Sequence, residues 1–191
     1  MSQVAISGNA SGTGTLTIAA PNTNSNYTLT LPTNTGTLIT TASTGQVIPK
    51  AALPTGSVLQ VVSASTTTNT STTSSSFVAV TNLTTSITPL FTTSKILILV
   101  NMNIYGSSVN SKAVATIYRA GSDLTSGNGF ADVYAGSTDI IQQASMIYLD
   151  SPATTSSTTY AVYFKRTQGI GTIQSSLRGT TNTITLMEIA A

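Results

Sequence analysis

The sequence contains no cysteine, histidine or tryptophan. Without cysteine there are no disulfides, and without cysteine and histidine the usual zinc ligands and the usual general base are missing. Ser-His-Asp and Cys-His catalytic arrangements are therefore excluded. The acids that remain are Asp123, Asp132, Asp139, Asp150 and Glu188. Two of them could serve a glycoside hydrolase only at a separation of roughly 5–10 Å; we read them as loop acids and predict neither enzymatic activity nor a cofactor.

Charged residues are also scarce, at 6% of 191 residues, against roughly 25% in an average soluble domain. The net charge is +2, and the isoelectric point of about 9.0 rests on seven bases against five acids. No basic cluster exceeds the pair Lys165–Arg166. Because nucleic-acid binding needs a dense basic face, we predict no nucleic-acid partner.

Long apolar runs are absent as well. No segment approaches the roughly 18 apolar residues that a membrane-spanning helix requires, so no membrane span is predicted. The N-terminal stretch "MSQVAISGNASG" has neither the basic region nor the apolar core of a signal peptide. We therefore expect synthesis in a cytoplasm.

What the chain does contain is threonine, at about a fifth of all residues, and alternating apolar positions. In "YTLTLPTNTGTLITT", residues 27–41, Tyr27, Leu29 and Leu31 fall on one side of an extended chain. Residues 1–49 hold three such short strands but too few large apolar residues for a core of their own. We predict that this segment is a β anchor that pairs with other chains, with Tyr27, Leu29, Leu31 and Leu38 as anchoring residues.

Residues 50–56 are predicted to be a linker, and residues 57–191 a separate head. In "SKILILVNMNI" the residues from Ile96 to Ile104 alternate, while Leu97 and Leu99 make the other face apolar at its start, which predicts burial on both sides there. In "TTYAVYFKR", Tyr160 and every second residue after it face one way. The run "TTTNTSTTSSS" fits either a mobile loop or a polar edge strand.

No window of the head has helical periodicity, and eight or nine strands separated by turn signals suggest a sandwich or barrel. Eight is the number of strands in a jelly roll. The predicted fold is therefore all-β, a short N-terminal β segment followed by an antiparallel jelly-roll sandwich. The last strand is apolar on alternate positions almost to the C-terminus, so we expect it in the middle of a sheet rather than at an edge.

Two groups of polar residues are candidate binding sites. Asp123, Asn128 and Asp132 supply oxygen ligands around a glycine-rich turn and form a calcium candidate, although their spacing does not match an EF-hand; the alternative is a plain polar loop. Three tyrosines would form a glycan patch if exposed, and are core or interface residues otherwise; they are Tyr105, Tyr134 and Tyr148. Arg119, at a strand end, is interpreted as a surface or interface salt-bridge residue rather than a phosphate ligand.

The run "GNASGTGTLTIAAPN…YTLTLPTNTGTLITTAS" resembles a motif common in bacteriophage fibre and decoration proteins of the virion. The pieces "GSVLQVVSA", "SITPLFTTSKILILVNM", "YLDSPATTSSTTYAVYF" and "TITLMEIA" look like a phage C-terminal domain. Together they cover most of the chain, and such domains are similar to the trimeric jelly rolls of the tumour necrosis factor type. The resemblance implies a homotrimer with its N-terminal segments bundled at a shared axis and globular heads above them.

Two functions follow from this resemblance. The first is a capsid decoration (cement) protein on the virion surface, with itself and the major capsid protein as partners. The second is a short tail fibre that binds a host surface glycan and attaches through tail adaptor proteins. The short chain without a long repeated shaft favours decoration.

Overall fold

The computed structural model describes residues 53–191, together with 11–13, 24 and 26. The chain divides into two compact units, Met1–Gln46 and Val47–Ala191. The predicted anchoring residues Tyr27, Leu29, Leu31 and Leu38 lie outside the described residues, so their role stays a prediction.

The described part of the second unit is all-β. Its strands are β1 (Val58–Thr66), β2 (Thr70–Thr72), β3 (Val78–Ile87), β4 (Lys95–Gly106), β5 (Ser111–Arg119), β6 (Ser122–Asp123), β7 (Ala131–Ala135), β8 (Ile140–Asp150), β9 (Thr158–Gln168), β10 (Ile173–Ser175) and β11 (Asn182–Ile189). A short 3₁₀ turn, Leu177–Gly179, precedes the last strand. Within these residues no helix has the length and hydrophobicity that a membrane crossing requires.

Eight of the strands form four pairs, and along the sequence each pair lies inside the one before it. Strand β1 pairs with β11, β3 with β9, β4 with β8, and β5 with β7. The pairs β11–β4 and β9–β5 join them into a first sheet, β1-β11-β4-β8, and a second sheet, β3-β9-β5-β7, and all these pairings are antiparallel. The short strands β10 and β2 extend the first sheet, and β6 extends the second. The two sheets form a sandwich whose strand order resembles that of a jelly roll.

The core lies between the two sheets, and the alternation in β4 and β9 decides which side chains fill it. The predicted inward residues of both strands are at most 3% exposed; they are Ile96, Ile98, Val100, Met102, Ile104, Tyr160, Val162 and Phe164. Strand β11 lies between β1 and β4, which confirms the predicted central position of the last strand. Part of the Thr/Ser-rich run forms the edge strand β2, which pairs with β10.

One expectation for β4 differs from the structure. The sequence predicts burial on both sides at the start of this strand, but Leu97 and Leu99 are only partly buried, on the outward side of the first sheet. The reason is that the sandwich has two layers, so only the inward face of each sheet meets another sheet. The sequence pattern of β4 is thus that of a doubly covered strand, while the described monomer covers it on one side.

Candidate functional site

The outward surface of the first sheet carries a continuous group of apolar side chains. The strand register places Val61 beside Met187, Met187 beside Leu97, and Leu97 beside Leu149, so that one row crosses all four strands. In the next row Leu99 is paired with Ile147. We call these residues the apolar face: Val61, Leu97, Leu99, Ile147, Leu149 and Met187.

The apolar face is open to solvent. Ile147 is 68% exposed, Val61 53% and Leu149 47%, while the other three members are partly buried by their neighbours. Single exposed apolar residues are ordinary, but a contiguous group of six on a flat sheet is typical of an interaction surface.

Beyond the apolar rows, the same outward surface continues with uncharged polar residues. Ser65, Asn101, Ser145 and Thr183 form the next row. A shallow depression between β11, β4 and β8 connects the apolar and polar rows; its lining includes Leu99, Ile147, Thr183 and Thr185. Lys95, paired with Ile189, lies at the end of the sheet. A surface of this kind can bind a partner through burial of its apolar side chains, and the partner needs no complementary charges. These residues suit binding and not catalysis.

Asp150 forms a buried charged cluster at the end of β8. Its carboxylate oxygens accept hydrogen bonds from Arg119 Nη1 at 2.8 and 2.9 Å and from the Tyr160 hydroxyl at 2.6 Å. Arg119 does form a salt bridge, as predicted, although the prediction of a surface or interface pair is wrong, because its partner is a buried carboxylate of the same chain. Burial, and then the neighbouring Asp150 carboxylate, raise the pKa of Tyr160, so this phenol stays a neutral donor. The cluster joins the two sheets and is structural.

A second buried carboxylate, Glu188, is held by uncharged donors. It faces inward from β11 and accepts hydrogen bonds from Gln60 Nε2 at 2.5 Å and from the backbone N–H of Leu90 at 2.8 Å. The Gln60 amide also donates to the Thr88 carbonyl at 2.7 Å. Glu188 therefore connects β1 and β11 to the loop that follows β3. The prediction that the acids are loop residues is wrong for Asp150 and Glu188, which are buried strand residues with hydrogen-bond donors around them.

The carboxylates of the predicted calcium site accept hydrogen bonds from other groups of the protein. The Asp123 carboxylate accepts four hydrogen bonds: from the Thr116 hydroxyl, the Thr125 hydroxyl and N–H, and the Gly127 N–H, at 2.6–3.0 Å. Asp132 forms an ion pair with Lys112 at 2.7 Å. Calcium needs free oxygen lone pairs, whereas both Asp123 oxygens and Oδ2 of Asp132 already face N–H and O–H groups. Among the described residues, no three acidic, histidine or cysteine side chains gather around one point.

The hydrogen bonds at Asp123 predict a specific pH dependence. Burial raises the pKa of this carboxyl, but the hydrogen bonds from Thr116, Thr125 and Gly127 together outweigh burial, so the pKa lies below its usual value. A carboxyl with a lowered folded-state pKa stabilises the fold above its unfolded pKa of about 4, and this contribution is lost as the pH falls through the folded value.

We therefore expect Asp123→Asn to melt below the wild type at pH 6, with the difference in Tm disappearing by roughly pH 2. Thermal melts of both proteins across this range measure it. Asp132→Asn is the control, because its exposed pair with Lys112 should contribute little at any pH. A Tm difference that stays constant down to pH 2 would show that the charge of Asp123 is not the cause.

The three tyrosines of the predicted glycan patch lie on three different surfaces. Tyr105 is on the outward side of the first sheet, and its hydroxyl donates to Asp139. Tyr134 is on the outward side of the second sheet and donates to Asn110 at 2.5 Å. Tyr148 is on the inward side of the first sheet, with its ring centroid 5.0 Å from that of Phe130. The monomer therefore has no patch formed by all three.

Comparison with known proteins gives only distant structural matches. No protein-family model and no curated protein matches the chain. It is similar to a structure of the infectious bursal disease virus Gx strain, with 14% identity and a TM-score of 0.36 over 78% of this chain and 42% of that one. A mutant VP2 protein of the same virus, from derived T=1 particles, has 12% identity and a TM-score of 0.35 over 78% and 40%. The chain spans about two-fifths of the length of these proteins.

Proposed function

We propose that this chain is a non-enzymatic structural protein of a bacteriophage particle, and that it assembles as a homotrimer through the apolar face. The observation that carries the proposal is the row from Val61 to Leu149, which crosses the outward side of the first sheet and is left open in the monomer. Burying such a surface is the dominant favourable term in protein association.

We propose that the partner that binds this face is another copy of the same chain. In a cyclic trimer, residues near the threefold axis meet their own copies, so charged residues there would face like charges. The apolar face and the polar row on one side of it carry no charged side chain, and Lys95, in the row on the other side, lies at the end of the sheet, so copies can meet over the apolar face itself without repulsion. Leu97 and Leu99 also belong to a strand whose sequence predicts cover on both sides, and association supplies the missing layer. The resemblance to trimeric phage heads implies three copies.

Within the particle, we propose the role of a capsid decoration protein that covers and stabilises the head surface. The residues that would contact the major capsid protein are those of the predicted anchor, residues 1–49. An uncharged, threonine-rich segment offers many backbone donors and acceptors and few apolar side chains, which suits strand addition to the edge of a partner sheet. Such a contact is extended and permanent rather than reversible.

Copy number per particle tests this role. Purified particles are digested, and peptides of this chain are quantified against those of the major capsid protein by mass spectrometry with labelled standards. A capsid decoration protein repeats with the capsid symmetry, so we expect on the order of hundreds of copies. A result of about one or two dozen copies would instead assign the protein to the tail and overturn the capsid role.

A further inference from the structure

The outward side of the second sheet carries an aromatic cluster that the assembly role leaves unused. Tyr118 on β5 is paired with Ala161, and Tyr163 on β9 is paired with Thr116, so both tyrosines point away from the core. Their rings are stacked, with centroids 3.9 Å apart and planes at 22°. The Phe77 ring meets Tyr118 edge-on at 6.1 Å.

The cluster has polar groups around its rings. Lys165 Nζ lies 4.2 Å from the centroid of Phe77 and donates a hydrogen bond to the Gly127 carbonyl at 3.1 Å. An ammonium group has three N–H donors, so Lys165 keeps donors for a ligand. Within the described part of the chain, the hydroxyls of Tyr118 and Tyr163 have no hydrogen-bond partner, whereas Tyr160 and Tyr134 each have one.

A bulge in β3 lies beside the Tyr163 ring. Ala79 is paired with Tyr163, and Thr84 with Ala161, so four residues of β3 lie opposite one of β9. Val80 and Leu83 turn into the core, while Thr81 and Asn82 project outward, Asn82 with a φ of 60°. The residue paired with Tyr163 on this side is the small, exposed Ala79, and bulges are frequent beside functional sites.

From this geometry we propose that Phe77, Tyr118, Tyr163 and Lys165 form a saccharide-binding platform for a neutral hexopyranose unit of a polysaccharide. The C–H face of a pyranose ring packs on an aromatic surface, and its hydroxyls exchange hydrogen bonds with free phenol and ammonium groups. The local charge is balanced, because the Lys165 ammonium lies on the same side of the sheet as the Asp123 carboxylate, which suits a neutral sugar. The platform and the apolar face lie on opposite sides of the sandwich, so both can be used at once.

Because the chain has no tryptophan, tyrosine fluorescence can report ligand binding at the platform. The chain has seven tyrosines and no tryptophan, so tyrosine fluorescence is not masked, and two of the seven rings belong to the platform. Full-length protein is titrated with three neutral polysaccharides, a glucan, a mannan and a galactan. We expect a saturable change in fluorescence with at least one of them.

Three variants test whether the fluorescence change arises from saccharide binding at the platform. Tyr163→Ala removes a stacking ring and should weaken binding by about tenfold or more, equivalent to roughly 1.4 kcal/mol. Tyr163→Phe keeps the ring and should retain most of the affinity. Tyr134→Ala removes an exposed tyrosine elsewhere on the same sheet and should change nothing.

Several results would overturn the platform. They are no binding to any of the three polysaccharides, unchanged binding by Tyr163→Ala, or an equal loss with Tyr134→Ala. A Tyr163→Ala chain that loses its oligomeric mass would also overturn it, because the rings would then pack against another copy. None of these outcomes bears on copy number per particle, so the platform and the capsid role can fail independently.

Discussion

Replacing Ile147 with lysine should convert the assembled protein into monomers of 19.5 kDa. Ile147 is 68% exposed in the monomer, so the new side chain costs the isolated fold little. In the assembly each copy would place an ammonium group inside an apolar contact. Burying an unpaired charge costs several kcal/mol, and the symmetry repeats this cost in every subunit. Light scattering after gel filtration at about 10 μM measures the mass; the wild type should be three times heavier.

Ile170→Lys is the matched control for this experiment. It makes the same change of side chain and of net charge at a residue that is 92% exposed, in the loop between β9 and β10 and away from the apolar face. We expect this variant to keep the mass of the wild-type assembly. If Ile147→Lys also keeps that mass, the apolar face is not the contact between copies. If both variants become monomeric, added charge alone disrupts the assembly.

The parts of the fold that the sequence predicts are those in which local alternation and burial agree. In β9, Val162 and Phe164 are each followed by a residue of lower hydropathy, Tyr163 and Lys165, so the inward face is evident. In β8 the run from Met146 to Leu149 is apolar at every position. Because apolar and polar residues do not alternate there, the sequence does not show which side chains point outward. The outward position of Ile147 follows only from its pairing with Leu99 on β4. The sequence alone therefore does not predict the apolar face, which becomes evident only from the pairing of the strands.

The same reason explains which polar sites the sequence misses. The calcium hypothesis groups Asp123 and Asp132 because they are close along the chain, but each carboxylate meets a partner on β5 instead, Thr116 and Lys112. The stack of Tyr118 on Tyr163 depends on the pairing of β5 with β9, between residues 45 positions apart in the sequence. Side-chain chemistry can be read from the sequence, whereas proximity across strands requires the fold. The two-residue and three-residue strands β6, β10 and β2 are too short to show any period.

The pairing of Arg119 with Asp150 is a further case of proximity that requires the fold, since the two residues lie on β5 and β8, 31 positions apart in the sequence. The Asp150 side chain is 5% exposed, and that of Arg119 is 35% exposed. Breaking a buried pair by neutralising one partner costs about 3–5 kcal/mol, because the remaining charge is left without compensation. The partial exposure of Arg119 places the expected cost near the lower end.

We expect Asp150→Asn to lower the free energy of unfolding by about 3 kcal/mol per chain, which for a domain of this size is a fall in Tm of roughly 6–12 °C. The asparagine keeps the shape and one acceptor oxygen but leaves the Arg119 guanidinium without its counter-charge. Tyr160 loses its charged acceptor too, since its hydroxyl donates to Oδ2 of Asp150. Thermal melts at a fixed protein concentration measure the effect, because the Tm of the proposed homotrimer would depend on concentration.

Asp132→Asn is the control, because it removes the same charge from an ion pair whose side chains are 38% and 48% exposed. An exposed pair contributes about 0–1 kcal/mol, so this variant should melt close to the wild type. Tyr160→Phe divides the larger effect further, since it removes one hydrogen bond and leaves the ion pair intact, at a cost of roughly 1–2 kcal/mol. Equal falls in Tm for Asp150→Asn and Asp132→Asn would mean that burial adds nothing to the Asp150 pair. The ion pair of Asp150 with Arg119 would then contribute little to holding the two sheets together.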